Sequence, residues 1–232
     1  MSTPNFRFKQ FTIWHDKCAM KVGTDGVLLG AWAPIGFRNQ DSGIKILDVG
    51  TGSGLIARML MQRCPEAEVE GIDIDAAAVE QARENGVRAF QARLQDWQGS
   101  YDLIVSNPPY FQNSLKNPDK GREMARHTDT LSYEELVKHS AQLLREEGRL
   151  ALILPAEAET EIREIASRYS LYCTRVTRVY SKESKPARRV MLSFSRDTGI
   201  TEYRYTEDIL VLEDEKGGRS AAYSELTKDF YL

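Results

Sequence analysis

The chain has 232 residues, of which 41% are hydrophobic and 28% are charged, and its formal net charge is -3. This length is sufficient for one substantial core, so we expect a single α/β domain with a small extension. The small negative charge argues against a strongly basic protein that binds nucleic acid regardless of sequence, but it is compatible with a local basic face.

No stretch of the chain approaches the roughly 18 apolar residues of a membrane-spanning helix. Residues 6–9 also lack the apolar character of a signal peptide, so we expect a cytoplasmic protein. The three cysteines are far apart, and together with the three histidines they show no metal-ligand spacing. We therefore expect neither a disulfide nor a metal site.

Aromatic and basic side chains are interleaved in residues 6–21. Such a segment can stack on a nucleic-acid strand and neutralise it, or it can be an arm that packs across a sheet edge; we favour the packed arm. Residues 24–26 then offer capping groups for a short apolar helix over residues 27–33. The N-terminus of that helix can receive an anion such as a carboxylate.

Seven runs have the length and composition of strands, and helical patterns separate most of them. They lie at residues 44–49, 68–73, 87–91, 101–106, 150–154, 171–180 and 189–195. The alternation predicts a parallel, doubly wound sheet. A capping box at residues 132–135 begins a helix that Gly148 is expected to end. The acidic tail ends in an apolar tripeptide that we expect to dock.

The first strand leads into a turn that contains Gly50, Gly52 and Gly54, followed by a helix. This arrangement lets a ligand approach the backbone closely. It also satisfies the G-x-G-x-x-A pattern, so a nicotinamide dehydrogenase is an alternative. Asp48 argues against that alternative, because a carboxylate before the turn suits a cationic ligand end and repels a pyrophosphate. Asp48 can instead cap the N–H groups of the turn itself.

Asp73 stands at the end of the second predicted strand. An acid at that place bonds ribose hydroxyls in nucleotide-binding α/β folds. Asp75 competes for this role, but it is better placed to cap the helix over residues 76–84.

Asn107, Pro108, Pro109 and Tyr110 directly follow the strand at residues 101–106. The prolines push the residues before them into extended conformations and leave carbonyl acceptors without N–H donors. The side-chain oxygen of Asn107 and the carbonyl of Pro108 can hold both hydrogens of one amino group, while Tyr110 offers a face for stacking. The tetrapeptide therefore predicts a planar substrate that bears an amino group, such as adenine.

Two groups of basic residues accompany this tetrapeptide. Arg122 and Arg126 belong to a polar segment over residues 111–130. A loop of this length is typically functional, and we expect it to close over the substrate and bind phosphates. Arg188 and Arg189 belong to a second group, within and between the last two predicted strands. That group is either a solvated face or a patch that faces RNA.

These motifs, taken in order, resemble the S-adenosylmethionine-dependent amino-methyltransferases of the class I fold. The glycine turn, the acid at the second strand end and the Asn-Pro-Pro-Tyr tetrapeptide carry that likeness. Residues 8–11, 15–26 and 28–32 resemble the N-terminal signature of the bacterial tRNA1(Val) (adenine-37-N6)-methyltransferase family. The likeness covers nearly the whole chain.

The resemblance implies an α/β fold with a doubly wound, Rossmann-like and mostly parallel sheet of seven strands. It implies an N-terminal extension over residues 1–36 that contributes to the cofactor site, and a catalytic domain over residues 37–232. The implied activity is S-adenosylmethionine-dependent methylation of the N6 amino group of an adenine in tRNA, by a monomer without a metal. The alternatives are a related N-methyltransferase acting on another RNA base or a protein glutamine, and a non-catalytic RNA-binding module.

The resemblance also implies which residues meet the cofactor. They are Thr24, Asp48, Gly50, Gly52, Asp73, Ile74, Arg93 and Leu94. Within this set, Thr24 and the two glycines cradle the methionine moiety, and Asp48 lies near its ammonium. Asp73 holds the ribose hydroxyls and Ile74 packs on the adenine. Arg93 departs from the family pattern, which usually has an acid at this place to meet the adenine amino group; here the next acid is Asp96.

Overall fold

The computed structural model describes residues 3–35, 43–109, 131–196 and 205–232, which contain ten strands and six α-helices. The strands are β1 (Asn5–Arg7), β2 (Thr12–Trp14), β3 (Lys45–Val49), β4 (Glu68–Asp73), β5 (Arg88–Gln91), β6 (Tyr101–Ser106), β7 (Leu144–Pro155), β8 (Leu171–Tyr180), β9 (Ala187–Arg196) and β10 (Thr206–Val211). The helices are α1 (Thr24–Trp32), α2 (Leu55–Arg63), α3 (Ala76–Glu84), α4 (Tyr133–Leu143), α5 (Glu159–Arg168) and α6 (Ala221–Thr227).

Eight of these strands form one mostly parallel sheet in the order β10-β8-β9-β7-β6-β3-β4-β5. Only β9 is antiparallel, to β7 on one side and to β8 on the other. Successive strands extend outward on both sides of the central pair β3 and β6, which leaves a crevice at the carboxyl ends of that pair. Ligands of doubly wound folds bind in such a crevice. The predicted fold class is confirmed.

The sheet contains every one of the seven predicted strands and one more, β10. This strand lies in the acidic tail, outside the seven predicted runs. Only Leu210 is buried in β10, and the strand pairs along one side with β8. An edge strand with a single buried side chain lacks the apolar alternation by which strands are recognised in a sequence.

The N-terminal aromatic segment forms a hairpin, in which β1 pairs antiparallel with β2. Phe8 and Ile13 are fully buried, and the rings of Phe8 and Tyr231 stack with centroids 6.0 Å apart. The backbone N–H of Lys9 donates to the carbonyl of Phe230 over 2.8 Å, so the two described ends of the chain meet. The arm is packed, as predicted, but against α1 and α2 and not across a sheet edge. The prediction of a docked apolar tail is confirmed.

Helix α1 begins at Thr24 and ends at Trp32, and Gly23 is its N-cap residue without a side-chain hydrogen bond. The prediction that residues 24–26 cap this helix is therefore wrong. Gly26 and Gly30 have a packing role instead. A Cβ atom on Gly30 would lie only 2.6 Å from the sulfur of Met59, so α1 rests directly on α2 through these glycines.

Helix α4 begins with the predicted capping box, in which the Ser132 hydroxyl accepts from the Glu135 N–H while the Glu135 carboxylate accepts from the Ser132 N–H. The predicted end of this helix is wrong, because β7 begins at Leu144 and Gly148 lies inside that strand. A Cβ atom on Gly148 would be 3.0 Å from the carbonyl oxygen of Tyr101. The glycine therefore permits a close approach of two strands where a helix stop was expected.

None of the described helices is long and apolar enough to cross a membrane. Within the same described ranges, no group of three or more His, Cys, Asp and Glu side chains is arranged to hold a metal ion.

Candidate active site

The glycine turn between β3 and α2 presents open backbone at the crevice. Gly50 and Gly52 have φ angles of 71° and 55°, and a Cβ atom on either would meet nothing within 4 Å. A Cβ atom on Gly54 would instead lie 2.7 Å from Val87. The first two glycines thus leave room for a ligand against the backbone, whereas the third lets the turn pack closely against Val87.

Asp73 at the end of β4 is tied to this turn. One carboxylate oxygen accepts from the Gly52 N–H at 2.9 Å, and the other accepts from the Asp75 N–H at 3.0 Å. Each oxygen keeps a further lone pair that can accept a hydroxyl. The next side chain, Ile74, is 51% exposed although it is apolar. Asp75 caps α3 by accepting from the Ala77 N–H, as predicted.

Asp48 lies behind the turn and is 0% exposed. Its Oδ2 accepts from the Thr51 hydroxyl at 2.8 Å and from the Ala57 N–H at 3.2 Å, so this oxygen caps the turn and the start of α2. Its Oδ1 is buried without a hydrogen-bond partner among the described residues. Burial raises the pKa of Asp48 to about 7. The capping alternative accounts for one oxygen. Asp48 is not among the residues that line the cavity described below.

Ser106, Asn107, Pro108 and Pro109 line the crevice at the end of β6. The buried Ser106 hydroxyl donates to the Val49 carbonyl at 2.8 Å and so holds the ends of the two central strands together. Asn107 is the first residue beyond that link. Tyr110, Arg122 and Arg126, with the predicted loop over residues 111–130, lie outside the described residues.

One cavity of about 580 Å³ unites most of the predicted site. The predicted residues that line it are Gly50, Gly52, Asp73, Ile74, Arg93, Leu94, Asn107, Pro108 and Pro109. Asp96 lines it as well, so the cavity contains an acid close to Arg93, where the sequence departs from the family pattern. The cavity thus brings the residues assigned to a cofactor and the residues assigned to an amino group into one place.

One wall of this cavity contains no residue that the sequence motifs predict for the site. Cys18, Ala19 and Met20 line it from the N-terminal segment. Burial, together with the charge of the nearby Asp73, raises the pKa of the Cys18 thiol to about 11. Residues 18–20 show no periodicity or motif chemistry of their own. The N-terminal family signature that contains them was the only available signal.

Thr24 is not among the residues that line the cavity, and it is exposed at the start of α1. The neighbouring Asp25 accepts from Arg189 at 2.8 Å. β9 is antiparallel to both β7 and β8, so β8 runs in the same direction as β7 and the central strands. The turn between β8 and β9 therefore lies at the carboxyl ends of the parallel strands, as the cavity does. Arg188 is exposed next to that turn.

Comparison with known proteins agrees with this geometry. The sequence model of the methyltransferase small domain family matches residues 37–174, which is more than half of the chain. A protein of Bacteroides fragilis is 45% identical over 245 aligned residues, covering 100% of this chain and 99% of the relative. A protein of Parabacteroides distasonis is 46% identical over 244, with the same coverage. Both are named tRNA1(Val) (adenine(37)-N6)-methyltransferase. The chain belongs to this family.

Solved structures support the fold of this tRNA1(Val) (adenine(37)-N6)-methyltransferase family member. A predicted O-methyltransferase from Agrobacterium tumefaciens matches with a TM-score of 0.66 at 16% identity, over 89% of this chain and 96% of that one. A type I restriction-modification methyltransferase subunit from Streptococcus thermophilus matches with a TM-score of 0.53 at 17% identity, over 80% and 46%. Membership of the family makes the protein a methyltransferase, which sets aside the dehydrogenase and the non-catalytic module.

Proposed function

We propose that this protein transfers a methyl group from S-adenosylmethionine to the N6 amino group of an adenine in tRNA, and that its target is adenine 37 of tRNA1(Val). The observation that carries the proposal is the single cavity that joins the open glycine turn, Asp73 and the Asn-Pro-Pro segment. The relatives that match along the full length carry the name of this activity.

The described residues fit the proposed cofactor. The open backbone at Gly50 and Gly52 leaves space for its amino-acid end, and the unpartnered Oδ1 of Asp48 suits the ammonium. The carboxylate of Asp73 would bind the ribose hydroxyls, and the exposed Ile74 would pack on the adenine ring. When bound, S-adenosylmethionine supplies a methyl group on a positively charged sulfur. Thr24 remains a predicted contact, as do Arg93 and Leu94 near the adenine.

Asn107 and Pro108 would prepare the target amino group. Its nitrogen is a poor nucleophile, because the lone pair is delocalised into the ring. Two acceptors that take both hydrogens favour a more tetrahedral nitrogen and turn its lone pair towards the cofactor side of the cavity. Positioning of this kind can lower the barrier by several kcal/mol. The nitrogen loses its proton readily after methylation, so no general base is required beforehand.

The target base has to leave its stack, which costs a few kcal/mol in a duplex and less in a loop. Stacking on Tyr110 would return about 1–3 kcal/mol. Arg122, Arg126, Arg188 and Arg189 are proposed to bind the tRNA phosphates.

We also propose that residues 1–36 form an extension of a catalytic domain over residues 37–232. Cys18, Ala19 and Met20 support this proposal, because they bring the extension into the wall of the cavity. The proposed tRNA substrate implies that the enzyme works in the cytoplasm, and we propose that it does so as a monomer.

A methyl-transfer assay with isotopically labelled S-adenosylmethionine tests the proposal against its alternative. We expect label to enter unmodified tRNA1(Val) and not a protein fraction offered at the same concentration. Label in a glutamine side chain, or in guanine, would support the alternative N-methyltransferase. Calorimetry with S-adenosylmethionine alone tests the cofactor separately from the substrate.

A further inference from the structure

The N-terminal segment passes from β2 over α3 before it reaches the cavity, and a buried amide holds it there. The Trp14 N–H donates to Asn85 Oδ1 at 2.9 Å, and Asn85 Nδ2 donates back to the Trp14 carbonyl at 2.7 Å. Asn85 is 8% exposed and directly follows the last residue of α3. A reciprocal pair of this kind fixes the backbone of one residue in two directions.

The same side chain also reaches the glycine turn. Asn85 Nδ2 donates to the carbonyl of Ser53 at 2.8 Å, inside the turn that Gly52 and Gly54 flank. The amide nitrogen therefore bonds both the N-terminal segment and the glycine turn, and each of these segments contributes residues to the lining of the cavity. Asn85 itself does not line the cavity.

A second buried amide lies one helical turn earlier. Gln81 is 1% exposed, and its Oε1 accepts from the Lys17 N–H at 3.0 Å. The Lys17 ammonium pairs with Glu80 at 2.8 Å and with Glu84 at 2.7 Å. These contacts end at the residue before Cys18, where the segment begins to line the cavity.

We propose that Asn85 and Gln81 are positioning residues for the methyl-donor site, which together fix the wall at residues 18–20 relative to the glycine turn. Burial of an amide is unfavourable unless its hydrogen bonds are made. The two amides make their bonds only when the N-terminal segment and the glycine turn are both in place, so they favour that arrangement. The inference rests on the proposed function only in taking S-adenosylmethionine as the ligand of the cavity.

The test compares the parent with Asn85→Ala and with Val79→Ala. Val79 is a buried residue of the same helix that packs in the core, so its truncation destabilises α3 without touching the N-terminal segment. We expect Asn85→Ala to weaken the binding of S-adenosylhomocysteine at least about fivefold, the scale of one net hydrogen bond. The KM for S-adenosylmethionine should rise equally, while kcat at saturation and the KM for tRNA stay within about twofold.

Hydrogen exchange gives a readout that needs no ligand. The Trp14 amide should exchange faster in Asn85→Ala and not in Val79→Ala. If Asn85→Ala fails to fold, Gln81→Met keeps the volume and removes the acceptor for Lys17, and it should still weaken S-adenosylhomocysteine binding.

Unchanged affinity in a folded Asn85→Ala or Gln81→Met variant, or an equal loss in Val79→Ala, would overturn the inference alone. A parent that does not bind S-adenosylhomocysteine would overturn the proposed function and this inference with it.

Discussion

Asp48 lies near the end of β3 and Asn107 directly follows β6, but the surroundings of the two side chains differ. Asn107 lines the cavity, whereas Asp48 is fully buried behind the glycine turn. The sequence placed both residues at the site from their position after apolar runs. It could not distinguish their exposure, because burial behind a turn depends on the strand and helix that pack on it.

Replacing Asn107 by Ala should separate binding from chemistry. The change removes one acceptor for the amino group but leaves the backbone and the cofactor contacts, so S-adenosylmethionine should bind normally. The methylation rate should fall about a hundredfold or more, as when one preorganised transition-state partner is lost. Single-turnover rates on unmodified tRNA measure this effect.

Two further variants refine the expectation for the tetrapeptide. Asn107→Asp keeps an oxygen acceptor and should retain part of the activity. Tyr110→Phe should be tolerated because the ring face is preserved, whereas Tyr110→Ala should not. A fully active Asn107→Ala enzyme would mean that other groups hold the amino group.

The buried carboxyl of Asp48 predicts a pH dependence of stability. Its pKa is raised from 3.8 to about 7. Between these two pH values the native state keeps a proton that the unfolded state has already released. This contribution to stability is present below about pH 4 and is lost as the pH rises to about 7. Asp48→Asn removes the buried charge and should be more stable than the parent at pH 8, by up to about 4 kcal/mol.

Urea unfolding of both proteins at pH 4 and at pH 8 measures this difference, which should nearly vanish at pH 4. If the free energy of unfolding of the two proteins differed by the same amount at both pH values, the carboxyl of Asp48 would titrate normally. Calorimetry with S-adenosylmethionine tests the proposed ammonium contact separately, because Asp48→Asn loses the charge that the cation would meet.

At the scale of elements, the start of β9 carries Arg188 and Arg189, the basic residues that we propose meet tRNA. Arg189 is paired with Asp25 at 2.8 Å, whereas Arg188 is exposed. Arg188→Glu should therefore weaken tRNA binding and reduce the dependence of affinity on salt, since phosphate contacts release counterions. Arg189→Glu should act less through tRNA and more through repulsion from Asp25.

Arg88→Glu is a matched control for this prediction. Arg88 begins β5, at the amino ends of the parallel strands, and its side chain is 60% exposed. It pairs with Glu68 at 2.8 Å, so the stability of the control is measured beside its salt slope. The control changes the net charge equally on the opposite edge, so it should leave the salt slope unchanged. If Arg188→Glu gave the same slope as the parent, the turn would be a solvated face only.

The elements also show what the sequence predicts well. The pattern of β8 and the capping box of α4 matched the structure, because buried alternation and capping chemistry are local. β10 was missed because its pairing along one side with β8 creates that strand. Gly148 was misplaced because one of the groups crowding it is the Tyr101 carbonyl of the neighbouring strand, which is distant in the sequence.

At the scale of the whole molecule, α1 of the N-terminal segment packs closely on α2, next to the sheet. Gly30→Ala should destabilise the protein by about 1–2 kcal/mol, because overpacking against Met59 exceeds the gain in helix propensity. Chemical denaturation measures the change. In the double variant with Met59→Ala the two losses should be less than additive, since the smaller side chain leaves room for the new methyl group.

The cavity wall at residues 18–20 was beyond prediction from residue patterns. Its place depends on Asn85 and Gln81, which are distant in the sequence and which no periodicity connects to Trp14 or Lys17. The predicted strand ends, by contrast, met in one cavity because parallel strands bring their carboxyl ends to one edge.

Nucleoside mass mapping of tRNA1(Val) after reaction tests the central claim most directly. Unmodified transcript, enzyme and S-adenosylmethionine are incubated, and the digested RNA is compared with that of a transcript in which guanine replaces adenine 37. We predict N6-methyladenosine at that one position, and no methylated nucleoside in the substituted transcript. Methylation elsewhere, at another atom, or equally in both transcripts would contradict the account.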